Sequence, residues 1–287
     1  MLFTVRLMIV DTLLETLKII LIVFVLMVIV EFFELKYRDK IRKYITKKPL
    51  TQYTAASTLG ATPGCFGAFF IVSSYTHGIV GFGALVAVMI ATAGDEAFIM
   101  LAKIPGTALL IFFICLVLGV IAGFLADKII KKTKLKISKP CEIEIHKKQD
   151  LQGKSFFKHF LKKHVYGHII KEHIPRLFMW LFFTMLIINF LMLRFDLGSI
   201  LPQNKLALIL IAALVGIIPV SGPHIIFVLL FAQGIIPFSV LLVSSIVQDG
   251  HGMLPLLSHS VKDAFYVKIF NVAFGLSIGL ILLAIGI

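Results

Sequence analysis

Cysteine is scarce in this chain. Cys65, Cys115 and Cys141 are three among 287 residues, scattered and odd in number. That excludes a disulfide framework and a CxxC metal pair. Signatures of nucleotide and hydrolase chemistry are missing too. There is no GxxxxGK(S/T) loop to cradle ATP. There is no HExxH pair for zinc proteolysis and no GxSxG elbow. The chain reads as a non-enzyme without a cofactor. No segment shows strict apolar–polar alternation, which excludes a membrane barrel. The N-terminus lacks the pattern of a signal peptide: Asp11, Glu15 and Lys18 interrupt its apolar run, and no small-residue cleavage site follows.

Acidic residues are also few, 15 against 28 Lys and Arg, for a net charge of +13. Apolar residues fill the remainder: 59% of the chain is hydrophobic, with a mean hydropathy of +1.00. Soluble domains hold roughly 45–50% apolar residues. Several windows hold about 20 apolar residues with few charges, enough to cross a bilayer. The expected fold class is all-α, a polytopic helical membrane protein. The basic residues concentrate in Lys36–Lys48 and Lys128–Arg176. In a soluble protein such patches would suggest nucleic acid. Here they mark loops on the cytoplasmic side, with the lipid bilayer rather than nucleic acid as partner.

Along the chain, residues 1–33 read as one helix on which Asp11, Glu15 and Lys18 share a face. Lys36–Lys48 is a basic connector. Thr51–His77 is apolar but broken at Pro63-Gly64, and Gly78–Ile104 is broken at Gly94-Asp95. Gly106–Ala126 is a membrane helix whose Gly119 and Gly123 permit close packing. Lys128–Arg176 holds fourteen basic residues against four acids. Its first part reads as polar and extended, and Phe156–Ile174 as amphipathic. The pattern then restarts: Leu177–Leu193, a segment broken at Pro219–Pro223, another interrupted at Gln248–Gly252, and a closing helix over Asp263–Ile287.

Shifting the first half by 156 residues without gaps lays Gly60 on Gly216, Pro63 on Pro219, Gly78 on Gly234 and Gly94 on Gly250. Gly119 and Gly123 land on Gly275 and Gly279. Five glycines and a break proline in one register point to an internal duplication. The expected division is 1–127 for the first membrane repeat, 128–173 for a basic linker and 174–287 for the second repeat. Charge sets the relative orientation. The first connector is strongly basic, whereas its partner around Phe190–Gln203 carries only Arg194 as a basic residue. Lys262 and Lys268 begin the last helix where Gly106 and Phe112 stand in the first half. Both differences fit halves inserted upside down relative to each other, with about five membrane segments each and the central loop cytoplasmic. Residue 48 is then inside and residue 105 outside. One broken segment between them is re-entrant and the other crosses, or a break hides an extra crossing.

The breaks carry the chemistry. Pro63 removes a backbone donor, and Gly64 allows unusual dihedrals. Paired broken helices near the midplane hold solutes in transporters. Hydrocarbon tolerates neither open backbone nor carboxylates unless protein or a cavity surrounds them. Asp95 and Glu96 follow one break, with Lys103 the nearest positive charge in sequence. His251 falls on the position of Asp95, with Asp249 two residues earlier. Carboxylates and imidazoles bind divalent metals and relay protons. The expected metal ligands are Asp95, Glu96, Asp249 and His251. The expected solute site adds Thr62, Pro63, Gly64, Cys65, Pro219, Ser221, Gly222, Pro223, His224 and Gln248. A headgroup location for the charged residues and a packing role for Cys65 are the plainer alternatives.

The runs GATPGCFGAF, YTHGIVGFGALVAVMIAT-x-GDEAF and GIIPVSGPHIIFVLLFAQGIIPFSVLLVSSIVQDGHGMLPLL, with the opening DTLLETLK, resemble the family of ten-span heavy-metal exporters. Its members are also labelled arsenic efflux proteins or manganese transporters. The resemblance covers nearly the whole chain and implies a secondary efflux transporter in the plasma membrane. The residues favour a divalent cation such as Mn²⁺ over arsenite, which prefers several thiols. A metalloid, oxyanion or organic solute remains an alternative, as do a membrane enzyme acting on a lipid phosphate and a passive channel or scaffold. With no ATP loop, the energy would come from an ion gradient, the proton being the expected coupling ion, or from the solute's own gradient. A homodimer is compatible with these features.

Overall fold

The computed structural model describes residues 2–45, 48–133, 137, 165–167, 169–171, 174–194, 204–219 and 222–286. Most of the basic stretch 128–173, and Ser221, lie outside the described residues. The described residues form twelve α-helices and no strand.

The first is a single long helix, α1 (Leu2–Ile45). Pro49 opens α2 (Pro49–Gly60), where its missing N–H would have no helical partner in any case. At 12 residues, α2 is about 18 Å long, little more than half the thickness of a hydrocarbon core. It ends before Pro63-Gly64, as expected. Then follow α3 (Phe66–Thr76), α4 (Phe82–Ala91), α5 (Glu96–Lys103) and α6 (Pro105–Thr133).

The directions of these helices follow from contacts at their ends. At the starts of α2 and α4, the Gly81 N–H donates to Gln52 Oε1 at 3.0 Å. At their ends, the Ala93 N–H donates to the Gly60 carbonyl at 3.2 Å. The two helices therefore run parallel, and α3 must double back between them. Gly67 makes this return possible, because a Cβ there would lie 2.0 Å from the Leu59 carbonyl oxygen. Helices α2 and α3 thus form a hairpin. By contrast, α6 runs antiparallel to α4. Asp127 near its end accepts from the Gly83 N–H at 2.7 Å, while Gly119 lies against Ala87 and Ala91. Pro105 precedes Gly119 by roughly 21 Å of helix. Helices α4 and α5 together must carry the chain that far, so the α4–α5 segment runs on past its break instead of doubling back.

The remaining elements are α7 (Ile174–Arg194), α8 (Lys205–Gly216), a 3₁₀ turn (Gly222–His224), α9 (Ile225–Ala232), α10 (Phe238–Val247), a second 3₁₀ turn (Gly250–Gly252), α11 (Met253–His259) and α12 (Val261–Ile285). A shift of 156 residues carries α2 onto α8 and α4 onto α10 end for end, and lays the start of α6 on that of α12. Left-handed backbone recurs in the same register: φ is 71° at Gly78 and 73° at Gly234, 57° at Gly94 and 53° at Gly250. Packing recurs as well. Gly119 and Gly123 face Ala91 and Ala87, and Gly275 and Gly279 face Val247 and Val243.

Every residue of α4 is buried, and so is α10 from Ser239 to Val247. Around this pair, α1, α6 and α12 turn large apolar side chains outward, among them Leu21, Phe113 and Ile285. Such surfaces are costly in water and at home in lipid. Among the described residues, four helical stretches are long and apolar enough to cross a membrane: Met8–Ile29, Pro105–Thr133, Phe238–His259 and Val261–Ile285.

Candidate functional site

Pro63 and Gly64 form the tip of the α2–α3 hairpin. Gly64 takes φ 100°, a left-handed value that suits glycine. Its N–H donates to the Gly94 carbonyl at 3.1 Å. This bridge ties the hairpin tip to the break between α4 and α5. It sets Cys65, the residue before α3, beside Asp95, the residue before α5. The Cys65 thiol donates to Asp95 Oδ1 at 3.4 Å.

The third member comes from the other half. His251 lies in the 3₁₀ turn between α10 and α11. Its Nδ1 is 3.6 Å from Cys65 Sγ and 3.6 Å from Asp95 Oδ2. One ligand atom from each of the three side chains lies within 4.8 Å of the others. Cys65 and Asp95 are 9% and 6% exposed, so the group is enclosed. Two ligands on one tetrahedral ion of zinc size stand about 3.3–3.8 Å apart, given metal–ligand bonds of about 2.0–2.3 Å. The Cys65–His251 spacing of 3.6 Å falls in that range, and Asp95 reaches it with one oxygen towards each partner, Oδ1 to Cys65 and Oδ2 to His251. Thiolate, imidazole and carboxylate together suit borderline-to-soft divalent ions better than hard ones.

Backbone polarity adds to this. Helix α4 ends at Ala91 and α10 at Val247, and their caps meet: Gln248 Nε2 donates to the Thr92 carbonyl at 3.3 Å. The C-terminal ends of both buried helices therefore converge on the break region, and their partial negative charge favours a cation there.

Several expected residues sit elsewhere. Asp249 points away to α12, where Lys268 forms a close ion pair with it and Asn271 Nδ2 donates to its other oxygen. Its carboxylate is thus neutralised outside the three-residue group. Glu96 is buried, 2% exposed, next to Asp95, and it is outside that group as well. Lys103 does not serve the adjacent carboxylates; it pairs with Glu15 of α1. Lys268 is not a loop charge that reports orientation, because its amine is paired with the buried Asp249 carboxylate. Thr62 bonds back to the Leu59 carbonyl and shapes the hairpin end. Pro219 and Pro223 are half-buried. Gly222 packs on the Trp180 indole, and His224 Nδ1 meets Ser244 Oγ at 3.2 Å. Gly222 and His224 thus hold the second break against α7 and α10. Lys268, Asn271, Thr92, Tyr75 and Asp263 were not anticipated as partners. The signal for Lys268 and Asn271 was available: each is a polar residue on an apolar helix, where the first half has Phe112 and Cys115.

Comparison with known proteins bears on this arrangement. The family described as "Putative, 10TM heavy-metal exporter" matches residues 8–194 and 177–285. The chain belongs to that family and is a membrane protein. No curated protein and no solved structure matches it.

Proposed function

We propose that this member of the heavy-metal exporter family is a secondary transporter that exports a borderline-to-soft divalent metal ion, of the Zn²⁺, Co²⁺ or Cd²⁺ class, through the Cys65–Asp95–His251 site. The carrying observation is the convergence of those three ligands, two from the first half and one from the second, at breaks in buried helices. A thiol in the set shifts preference away from Mn²⁺, which favours oxygen ligands and imidazole. Arsenite is disfavoured, because one thiol rather than several lines the site.

The halves are inverted repeats. Two contacts support this. Asp127, at the end of α6, sits by Gly83 at the start of α4. Tyr75, at the end of α3 and therefore level with the start of α4, bonds Asp263 at the start of α12. So α6 finishes at the end of the molecule where its counterpart α12 begins. The basic connector and the 128–173 linker face the cytoplasm of a plasma-membrane protein. The α2–α3 hairpin is re-entrant, and α4–α5 crosses.

In this arrangement a rocking motion of one half against the other takes His251 away from Cys65 and Asp95. The metal would then be bound when the halves meet and released when they part, which is alternating access around a shared site. Asp95, and Glu96 beside it, would take up protons as the cation leaves, giving proton–metal exchange.

The test is metal content in cells expressing wild type, Cys65→Ser, Asp95→Asn or His251→Ala. Wild type should lower Zn²⁺, Co²⁺ or Cd²⁺ accumulation relative to empty cells, and each variant should restore it. If wild type changes the content of none of these metals or of Mn²⁺, metal export is wrong. If Mn²⁺ alone changes, the softer cargo is wrong.

A further inference from the structure

The second half contains a charged arrangement that the first half lacks entirely. Lys268 Nζ donates to the Gly216 carbonyl at 2.8 Å and to the Val247 carbonyl at 3.2 Å. Its third partner is the Asp249 carboxylate, whose other oxygen accepts from Asn271 Nδ2. Gly216 is the last residue of α8, and Val247 is the last of α10. The last carbonyls of a helix have no partner within it, and they carry its negative end. Asp249 is 0% exposed. Two helix C-termini and a carboxylate therefore converge with no solvent to relieve them. Left empty, such a site carries the penalty of a buried unpaired charge. An ammonium has three donors and no acceptor, and the three oxygens use all of them.

Oxygen ligands from helix-end carbonyls and a carboxylate are also what a small monovalent cation takes in a membrane protein. In the first half, Ala93 replaces Asp249, Phe112 replaces Lys268 and Cys115 replaces Asn271. The Gly60 carbonyl there accepts from the Ala93 N–H. Anion and cation are thus present together in one half and absent together in the other.

We propose that Gly216 O, Val247 O and the Asp249 carboxylate form a monovalent-cation site permanently filled by the Lys268 ammonium. The second half thereby carries within its own chain the charge that a bound Na⁺ would otherwise supply. Wild-type folding and transport then need no Na⁺ at this position. The inference stands apart from the metal site, since it uses none of Cys65, Asp95 or His251.

The experiment is thermal unfolding of the full-length protein in detergent, in NaCl, KCl and choline chloride. Wild type should show the same midpoint in all three. Lys268→Ala empties the site. Its midpoint should fall in choline and recover with Na⁺ in a saturable way, by about 5 °C or more at concentrations well above the dissociation constant. Lys268→Ala combined with Asp249→Asn should show no such recovery. A Lys268→Ala protein that melts alike in Na⁺ and choline would overturn the proposal. So would a double variant that responds as the single one does. If Lys268→Ala does not accumulate in membranes, Lys268→Met, which keeps the apolar stem and removes only the ammonium, is melted in the same three salts: recovery of its midpoint in Na⁺ upholds the proposal, and equal midpoints in Na⁺ and choline overturn it.

Discussion

Gln248 Nε2 donates to the Thr92 carbonyl at 3.3 Å across a sequence separation of 156 residues. That separation is also the offset between the two halves, so residues in equivalent positions touch. In the proposed inverted arrangement, only residues close to the pseudo-two-fold axis can do so. Asp95 and His251 are a second such pair, 3.6 Å apart. The candidate site therefore lies where the halves meet.

Gln248→Met should weaken this junction. Gln248 is 1% exposed, and its loss leaves the Thr92 carbonyl without the amide. The expected destabilisation is about 1–3 kcal/mol, read as a lower unfolding midpoint. A midpoint equal to wild type would mean that the contact between the halves is not held here.

Cys65→Ser should change selectivity more than it changes folding. Serine keeps the size and a hydrogen bond to Asp95 Oδ1 but removes the soft ligand. Affinity for Cd²⁺ should fall at least about tenfold, and affinity for Mn²⁺ much less. Binding to purified protein by calorimetry separates the two. Equal losses for both ions would remove the thiol from the site.

Much of this was legible in the sequence. All four breaks fall where Pro63-Gly64, Gly94-Asp95, Pro219–Pro223 and Gln248–Gly252 placed them, because proline and glycine act locally. The register that lays His251 on Asp95 also aligns the helix bounds of α2 with α8 and of α4 with α10, although nothing in one dimension says that equivalent residues meet. What was not legible depends on packing between distant segments. Whether α2–α3 returns or crosses rests on Gly67 against Leu59. Lys103 is seven residues from Glu96, yet it reaches Glu15, 88 positions away. Asp249 looked like a ligand until Lys268, one helix later, was seen to neutralise it.

Gly67→Ala tests the hairpin. The added methyl would meet the Leu59 carbonyl at 2.0 Å, whereas a methyl at Gly106 meets nothing within 4 Å. Backbone cannot swing aside as a side chain can. Gly67→Ala should cost about 3 kcal/mol or more and reduce the protein recovered from membranes. Gly106→Ala should behave as wild type. If the two variants melt alike, α3 does not return against α2.

The inverted arrangement predicts opposite faces for equivalent turns. His77 and Gln233 each cap the helix that precedes a left-handed glycine. In a background with Cys65, Cys115 and Cys141 replaced by serine, Gln233→Cys should react with an impermeant maleimide on intact cells. His77→Cys should react only after the membrane is opened. Labelling of both from one side would exclude the inversion.

Tyr75 donates to Asp263 Oδ2 at 2.9 Å between the halves, and Asp263 is 0% exposed. The equivalent positions hold Phe231 and Thr107, so this latch closes one end of the interface only, the end of the His77 turn. A hydrogen bond to a buried carboxylate is worth about 1.5–3 kcal/mol, so Tyr75→Phe should raise the population open at that end about ten- to a hundredfold. Cys65 reports the change directly, because it lies at the site that this end would expose. In protein carrying serine at positions 115 and 141, alkylation of Cys65 from the cytoplasmic side should accelerate in Tyr75→Phe, while alkylation from outside should not. Acceleration from both sides would mean that the variant has loosened the fold. Acceleration from neither would make the pair a structural contact rather than a gate.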